Sequence, residues 1–148
     1  MITIPVELQK LIDAHGEASY PYEGCGLLLG QIVDGNNVVE RIQIMLNVWP
    51  DEEEKRVRFR IDEQAWLKAE MDAMMNDQDI IGVFHSHPDH PPIASPRDLA
   101  WAAFSGYSYL ITAVRNGSAE ESRSWQLNTE RTDFSEEEII LQATGDNA

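Results

Sequence analysis

The chain has 148 residues, a formal net charge of −15 and a single cysteine, Cys25. That length suits one domain, and a domain of this size buries about 68–70% of its unfolded surface. The charge argues against nucleic acid and anionic membrane as partners, and the lone cysteine excludes an intrachain disulfide. No run approaches the ~18 apolar residues of a membrane span, and the first residues lack a basic-then-apolar leader pattern. The expected location is therefore the cytoplasm.

In chain order, Pro5 opens a helical pattern, with Leu8, Leu11, Ile12 and His15 on one side. It stops between Gly16 and Ser19, before Tyr20-Pro21-Tyr22. His15 reads as an ordinary helix residue. Glu23-Gly24-Cys25-Gly26 leads into Leu27-Leu28-Leu29-Gly30, a buried strand. The glycines allow close backbone approach, and Cys25 reads as a small core residue. Asp34-Gly35-Asn36-Asn37 is a turn, and Val38 to Val48 a long strand. After an acidic loop, Val57-Arg58-Phe59-Arg60-Ile61 alternates as a strand would, with Arg58 and Arg60 toward solvent. Asp62 can cap the next helix, whose apolar stripe is read as Leu67, Met71 and Met74, widened by Trp66, Ala69 and Ala73.

Ile80 to Phe84 is the central buried strand, and it runs into His85-Ser86-His87. Histidines at i and i+2 on extended backbone share a face, so both rings can reach one ion. A loop with Pro88, Pro91 and Pro92 follows, then Ser95-Pro96-Arg97-Asp98. Ser-Pro-x-Asp is a good helix start, with serine as N-cap, proline at N1 and acid at N3. Asp98 can be held by that start and still offer an oxygen. Two histidines, a carboxylate and an open position are the layout of catalytic zinc. A cupin would also use H-x-H, but it needs a glutamate where this chain has prolines. His90 is expected to face solvent. Asp89 is a second acid near the pair.

Leu99 to Phe104 is short and helical, Tyr107 to Val114 is another buried strand, Asn116-Gly117 is a turn, and Arg123 to Leu127 is the last strand. The domain is expected to span residues 1–127. Residues 128–148 carry six acids and one arginine and read as a solvated tail, dispensable for folding, with a short helix over Ser135 to Gln142. Strands and helices mix without strict βαβ order, which indicates an α+β fold with a mixed sheet.

Glu23, then His85-x-His87-Pro88, then Ser95-x-x-Asp98 after seven intervening residues, resembles the JAMM motif of the MPN-domain (JAB/MPN) metalloproteases. Glu-Gly-Cys-Gly-Leu-Leu-Leu-Gly is similar to the compact prokaryotic branch. The resemblance covers residues 1–127. It implies a single MPN/JAB domain with a curved mixed sheet flanked by helices, cytidine-deaminase-like. It also implies one zinc per chain on His85, His87 and Asp98, with Glu23 as general base and Ser95 stabilising the oxyanion. The implied activity is an isopeptidase or peptidase acting after the Gly-Gly terminus of a small ubiquitin-like or sulfur-carrier protein. The chain is short for the insertions with which dedicated deubiquitinases grip two ubiquitins. The other readings are an MPN-like protein-binding module with a metal site and a hydrolase of small amides. Oligomeric state and leaving amine are not legible.

Overall fold

The computed structural model describes residues 1–102 and 104–143. Along these, the order is β1 (Ile2–Pro5), α1 (Val6–Ser19), β2 (Cys25–Val33), β3 (Asn36–Met45), a 3-10 turn (Glu53–Arg56), α2 (Glu63–Met75), β4 (Asp79–Pro88), α3 (Pro96–Trp101), β5 (Ser108–Arg115), β6 (Ser118–Leu127), β7 (Phe134–Glu137) and β8 (Ile139–Gln142). All eight strands form one sheet in the order β7-β6-β5-β4-β2-β3-β1-β8. The β4–β5, β1–β3 and β1–β8 pairs are parallel and the others antiparallel. The two edge strands β7 and β8 are separated in sequence by Glu138 alone. The two edges must therefore meet, so the sheet curls nearly closed. This is the expected α+β architecture.

The strands are set by period-2 burial. On β2, Cys25, Leu27 and Leu29 enter the core under α2, while Leu28 enters the core under α1 with Ile2, Ile4, Ile12, Ile81, Phe84 and Leu110. β2 and β4 are buried on both faces, which explains their continuous apolar runs. The β2–β3 and β5–β6 hairpins turn on Asp34-Gly35 and Asn116-Gly117, with positive φ at all four residues, the geometry that suits strand twist.

Several expectations are corrected. Val57 to Ile61 is not a strand. Phe59 and Ile61 are buried as the alternation requires, but the backbone is tied instead by Asn47. Its Nδ2 donates to the Arg58 carbonyl (3.0 Å) and its Oδ1 accepts from the Arg60 N–H (3.2 Å). The preceding strand ends at Met45 rather than Val48. The stripe on α2 is rotated: Ala69 and Ala73 are buried, while Leu67, Met71 and Met74 are 56–74% exposed. The small residues let the helix axis lie close to the sheet, and the long ones flank the contact. On α1, likewise, Ile12 and Gly16 are buried and Leu11 faces out.

The largest correction lies beyond Leu127. Ser135 to Gln142 forms strands, not a helix, because each short segment completes an edge. β7 pairs with β6 over four residues and β8 pairs with β1 over four. Ile139 packs on the core under α1. Glu137 joins the edges: its Oε1 lies 3.1 Å from the Met1 ammonium, and its Oε2 accepts from Ser124 Oγ at 2.7 Å. Residues 144–148 of the expected tail lie outside the described residues.

A chain ending at Leu127 is therefore expected to lose roughly 3 kcal/mol or more of stability, through the buried parts of Phe134 and Ile139 and two uncovered strands. Urea unfolding of the full and shortened chains measures this. An unchanged midpoint would restore the reading of a dispensable tail.

Candidate metal centre

The alternation of β4 builds the site. Val83, His85 and His87 point to the α2 side, while Phe84 and Ser86 point toward α1. Both rings are almost wholly buried, with His85 3% and His87 6% exposed. Their Nε2 atoms are 3.2 Å apart. Asp98 supplies the third corner: Oδ1 lies 3.1 Å from His85 Nε2, and Oδ2 lies 3.1 Å from His87 Nε2. The start of α3 holds this carboxylate. Ser95 Oγ accepts from the Asp98 N–H (3.1 Å), and Asp98 Oδ2 accepts from the Ser95 N–H (2.8 Å), a capping box with Pro96 at N1. The expected helix start and the expected ligand are thus one device.

The protonation pattern determines what the cluster can hold. His87 Nδ1 is 2.9 Å from the Pro91 carbonyl oxygen. A carbonyl only accepts, so Nδ1 carries a proton, and Nε2 is the nitrogen turned toward Asp98 and His85. Burial lowers the pKa of His85, which favours its neutral form although Asp98 opposes this. Burial resists ionisation of Asp98, but the two histidines outweigh it and hold its carboxyl well below the usual range. Two imidazole nitrogens and two carboxylate oxygens therefore converge at 3.1–3.2 Å. Two zinc ligands at tetrahedral positions stand about 3.3 Å apart, given Zn–N bonds of about 2.0–2.1 Å. The donor set and its spacing fit a zinc-sized cation. The hydrogen bond to the Pro91 carbonyl orients the His87 ring. His85 Nδ1 has no hydrogen-bond partner among the described residues, and its ring stacks on Phe59 at 4.7 Å.

Glu23 comes to the same place from the segment before β2. One carboxylate oxygen and one nitrogen of each of His85 and His87 lie within 4.8 Å of one another. Glu23 is 4% exposed, and its Oε1 has no hydrogen-bond partner among the described residues. Burial, and then the charge of Asp98, raise its pKa well above the ordinary carboxylate value against the pull of Arg97. Its backbone is clamped on both sides. The Glu23 N–H donates to the Lys55 carbonyl (2.7 Å), and Asn47 Nδ2 donates to the Glu23 carbonyl (3.0 Å). The next amide, Gly24 N–H, donates to Ser86 Oγ at 2.8 Å. The glycines serve close approach: a Cβ on Gly26 would lie 2.3 Å from the Phe84 ring.

Two clefts meet at Glu23 and Arg97. One, of about 240 Å³, runs past Trp49, Arg58, Phe59 and Trp101. The other, of about 200 Å³, runs past His87, His90, Ile93 and Ser95. Ser95 Oγ accepts from the Asp98 amide, so its own proton is left to donate elsewhere. The remaining sequence candidates are not members of this cluster. Cys25 is fully buried among core residues, and burial and then Glu23 push its thiol up to about 12. His90 is exposed. Asp89 is occupied in the loop, accepting from the Asn116 N–H (2.9 Å) and the Tyr20 hydroxyl (2.6 Å). His15 packs edge-on to Phe84.

Residues 5–128 match the family model described as prokaryotic homologs of the JAB domain. The chain belongs to this family. A desampylase from Pyrococcus furiosus is 29% identical over 125 residues, 84% of this chain and 80% of its own length. A CysO-cysteine peptidase from Mycobacterium bovis is 25% identical over 127 residues, 86% of this chain and 83% of its own. A Desulfitobacterium hafniense protein of known solution structure is 30% identical and superposes with a TM-score of 0.84, over 99% of this chain and 97% of that one.

Sequence reasoning misses two positioning residues of this JAB domain. Ser86 lies hidden between the histidines, and the one available signal is its place on the opposite strand face. Asn47 lies inside the expected Val38–Val48 strand, two residues past the observed end at Met45, where a polar residue marks a backbone that leaves the ladder. Ser95→Ala is expected to cost about 1 kcal/mol, the usual loss for an N-cap. Denaturant unfolding at neutral pH measures it, and an unchanged midpoint would show that the cap does not hold Asp98.

Proposed function

We propose that this JAB domain is a zinc-dependent peptidase that hydrolyses the amide after the Gly-Gly terminus of a small ubiquitin-like or sulfur-carrier protein. The observation that carries the reading is the buried convergence of His85, His87 and Asp98, whose nitrogens and oxygens are spaced as cation ligands. The names of the relatives, a desampylase and a CysO-cysteine peptidase, support cleavage of a tag protein's C-terminal linkage. The matched family supports hydrolase chemistry.

His85, His87 and Asp98 would hold one zinc ion. When bound, zinc supplies Lewis acidity and lets water act as a nucleophile near neutral pH. Glu23 stands within reach of both histidines with an unpartnered oxygen. It takes the proton of the attacking water and returns it to the leaving amine. The clamp by Lys55, Asn47 and Ser86 spares it reorganisation during that transfer. Ser95 donates its hydroxyl proton to the carbonyl oxygen as negative charge develops there; a single donor of this kind typically contributes about 3–4 kcal/mol. The two clefts that meet at Glu23 accept the substrate on either side of the scissile bond.

The sign of the pH dependence follows from Glu23. A base works only when ionised, so activity is present above its pKa and lost as pH falls through it. Burial raises that pKa, so the loss begins above the ordinary carboxylate range, offset in part by a cation beside it.

Purified chain is expected to carry one zinc per molecule by metal analysis and His87→Ala to lose it; equal content in both would remove the ligand assignment. Glu23→Gln keeps size and hydrogen bonding but cannot take a proton. It is expected to retain zinc and fold while single-turnover cleavage of a carrier Gly-Gly adduct falls by at least ~100-fold. Comparable rates at matched zinc content would eliminate Glu23 as the base.

A further inference from the structure

The loop from Asp89 to Ala94 contains Pro91 and Pro92, which have no N–H, so it has few donors of its own with which to pin itself. Yet it carries the acceptor that orients His87, the Pro91 carbonyl, 2.9 Å from Nδ1. At its start the chain turns on a positive φ at Asp89. There the Asp89 N–H donates to the Val114 carbonyl (2.8 Å), and its carboxylate accepts from the Asn116 N–H and the Tyr20 hydroxyl. At its far end Ser95 is locked into the start of α3. Between these ends, two side chains among the described residues donate to the loop. One is His87 itself, and the other is Trp125, whose indole N–H lies 3.0 Å from the Pro92 carbonyl oxygen. Trp125 stands on β6, two strands away from β4 and opposite Tyr109 of β5. It packs on the core under α2, the sheet face that carries both histidines.

The carbonyls that meet Trp125 and His87 belong to consecutive residues. The Pro91 carbonyl is part of the peptide whose nitrogen is the ring nitrogen of Pro92, and the Pro92 ring fixes the next torsion, φ. One soft torsion, the ψ of Pro92, therefore relates the two carbonyls, and holding one goes far toward holding the other. Pro92 is buried. Without the indole its carbonyl loses its donor, which favours a shift of the loop toward other partners. That shift carries the Pro91 carbonyl off His87 Nδ1. A ring free of this acceptor can carry its proton on Nε2 instead, and a protonated Nε2 cannot bind a cation.

We infer that Trp125 is a positioning residue of the metal centre: its indole N–H holds the Pro91–Pro92 segment so that the Pro91 carbonyl keeps His87 turned to ligate. It acts through the loop and not on the ion. This rests on the zinc reading proposed above and adds to it a residue two strands away that sets the affinity for the ion.

The test strips the full chain of metal and titrates it with zinc against a chromophoric chelator at neutral pH. Trp125→Phe removes the donor and is expected to weaken zinc binding about three- to tenfold, the scale of one hydrogen bond. A second variant carries 3-benzothienylalanine in place of Trp125, which keeps the ring shape and puts sulfur where the N–H was. It should fold as wild type does by circular dichroism and weaken zinc binding by the same factor. In the zinc-loaded chain the His87 Nδ1 proton, followed by nuclear magnetic resonance, should exchange with water faster in both variants. Leu127→Ala removes a buried side chain from the same strand and the same core. It should lower stability and leave zinc affinity within about twofold, as independent sites do. Wild-type affinity in the benzothienyl variant, or an equal loss in Leu127→Ala, overturns the inference and leaves the ligand assignment intact. A wild-type chain that binds no zinc overturns both.

Discussion

Two imidazole nitrogens and a carboxylate converge to 3.1–3.2 Å in a buried place, and the fold must hold these polar groups together away from water. Burying even one unpaired charge costs several kcal/mol in real proteins. A flexible loop would relieve that cost by moving apart. β4 cannot, because it is hydrogen-bonded to β2 on one side and β5 on the other along the histidine stretch, with Cys25 and Ile111 opposite His85. Asp98 cannot easily withdraw either, because the same oxygen that meets His87 also accepts the Ser95 amide. The geometry is preorganised by groups whose own hydrogen bonds are satisfied elsewhere.

The two carboxylates of the site are pushed in opposite directions. Asp98 meets two ring nitrogens and a backbone N–H and is held ionised. Glu23 is as deeply buried but has an oxygen with no donor among the described residues, and the charge of Asp98 bears on it. Environments that separate the pKa values of neighbouring acids separate their roles. The acid that stays ionised suits ligation, and the acid whose proton affinity is raised suits proton transfer. The same comparison sets Asp89 aside: backbone and phenol donors lower its pKa, and they spend it on the turn at Asn116.

What was legible in the chain was legible because it was local. The shared face of His85 and His87 follows from strand alternation, and the Ser95–Asp98 start follows from capping chemistry. Both needed nothing beyond neighbouring residues. The approach of Glu23 is not local: it depends on the β2–β4 register, and the motif resemblance supplied what spacing could not. Where tertiary partners choose between local options, reading the chain fails. Glu136 to Leu141 has a composition that suits a helix, yet the two open edges of the sheet make it two strands. Leu67, Met71 and Met74 have helical spacing, yet the close packing of Ala69 and Ala73 turns them outward. Phe59 and Ile61 alternate correctly, but Asn47 replaces the ladder their segment would have joined.

Net charge and the cleft act over different distances. At physiological salt the Debye length is about 8 Å, so the surface charge of −15 weakens quickly into solution and bears mainly on encounter. Attraction at that range belongs to a partner with a basic surface. Inside the clefts screening is weaker, and the nearest groups decide. There Arg58 and Arg97 line one cleft with Glu23 and Asp98. An acidic protein can thus present a locally cationic wall beside its most acidic residues. The aromatic platform of Trp49 supports this wall: Arg58 and Arg60 lie over its ring, and neither makes an ion pair among the described residues. The Trp49 indole N–H itself donates to Glu54 at 3.3 Å, which anchors the platform on the 3-10 turn that also holds Glu23 through Lys55. One short turn therefore positions both the acid of the site and the cations beside it.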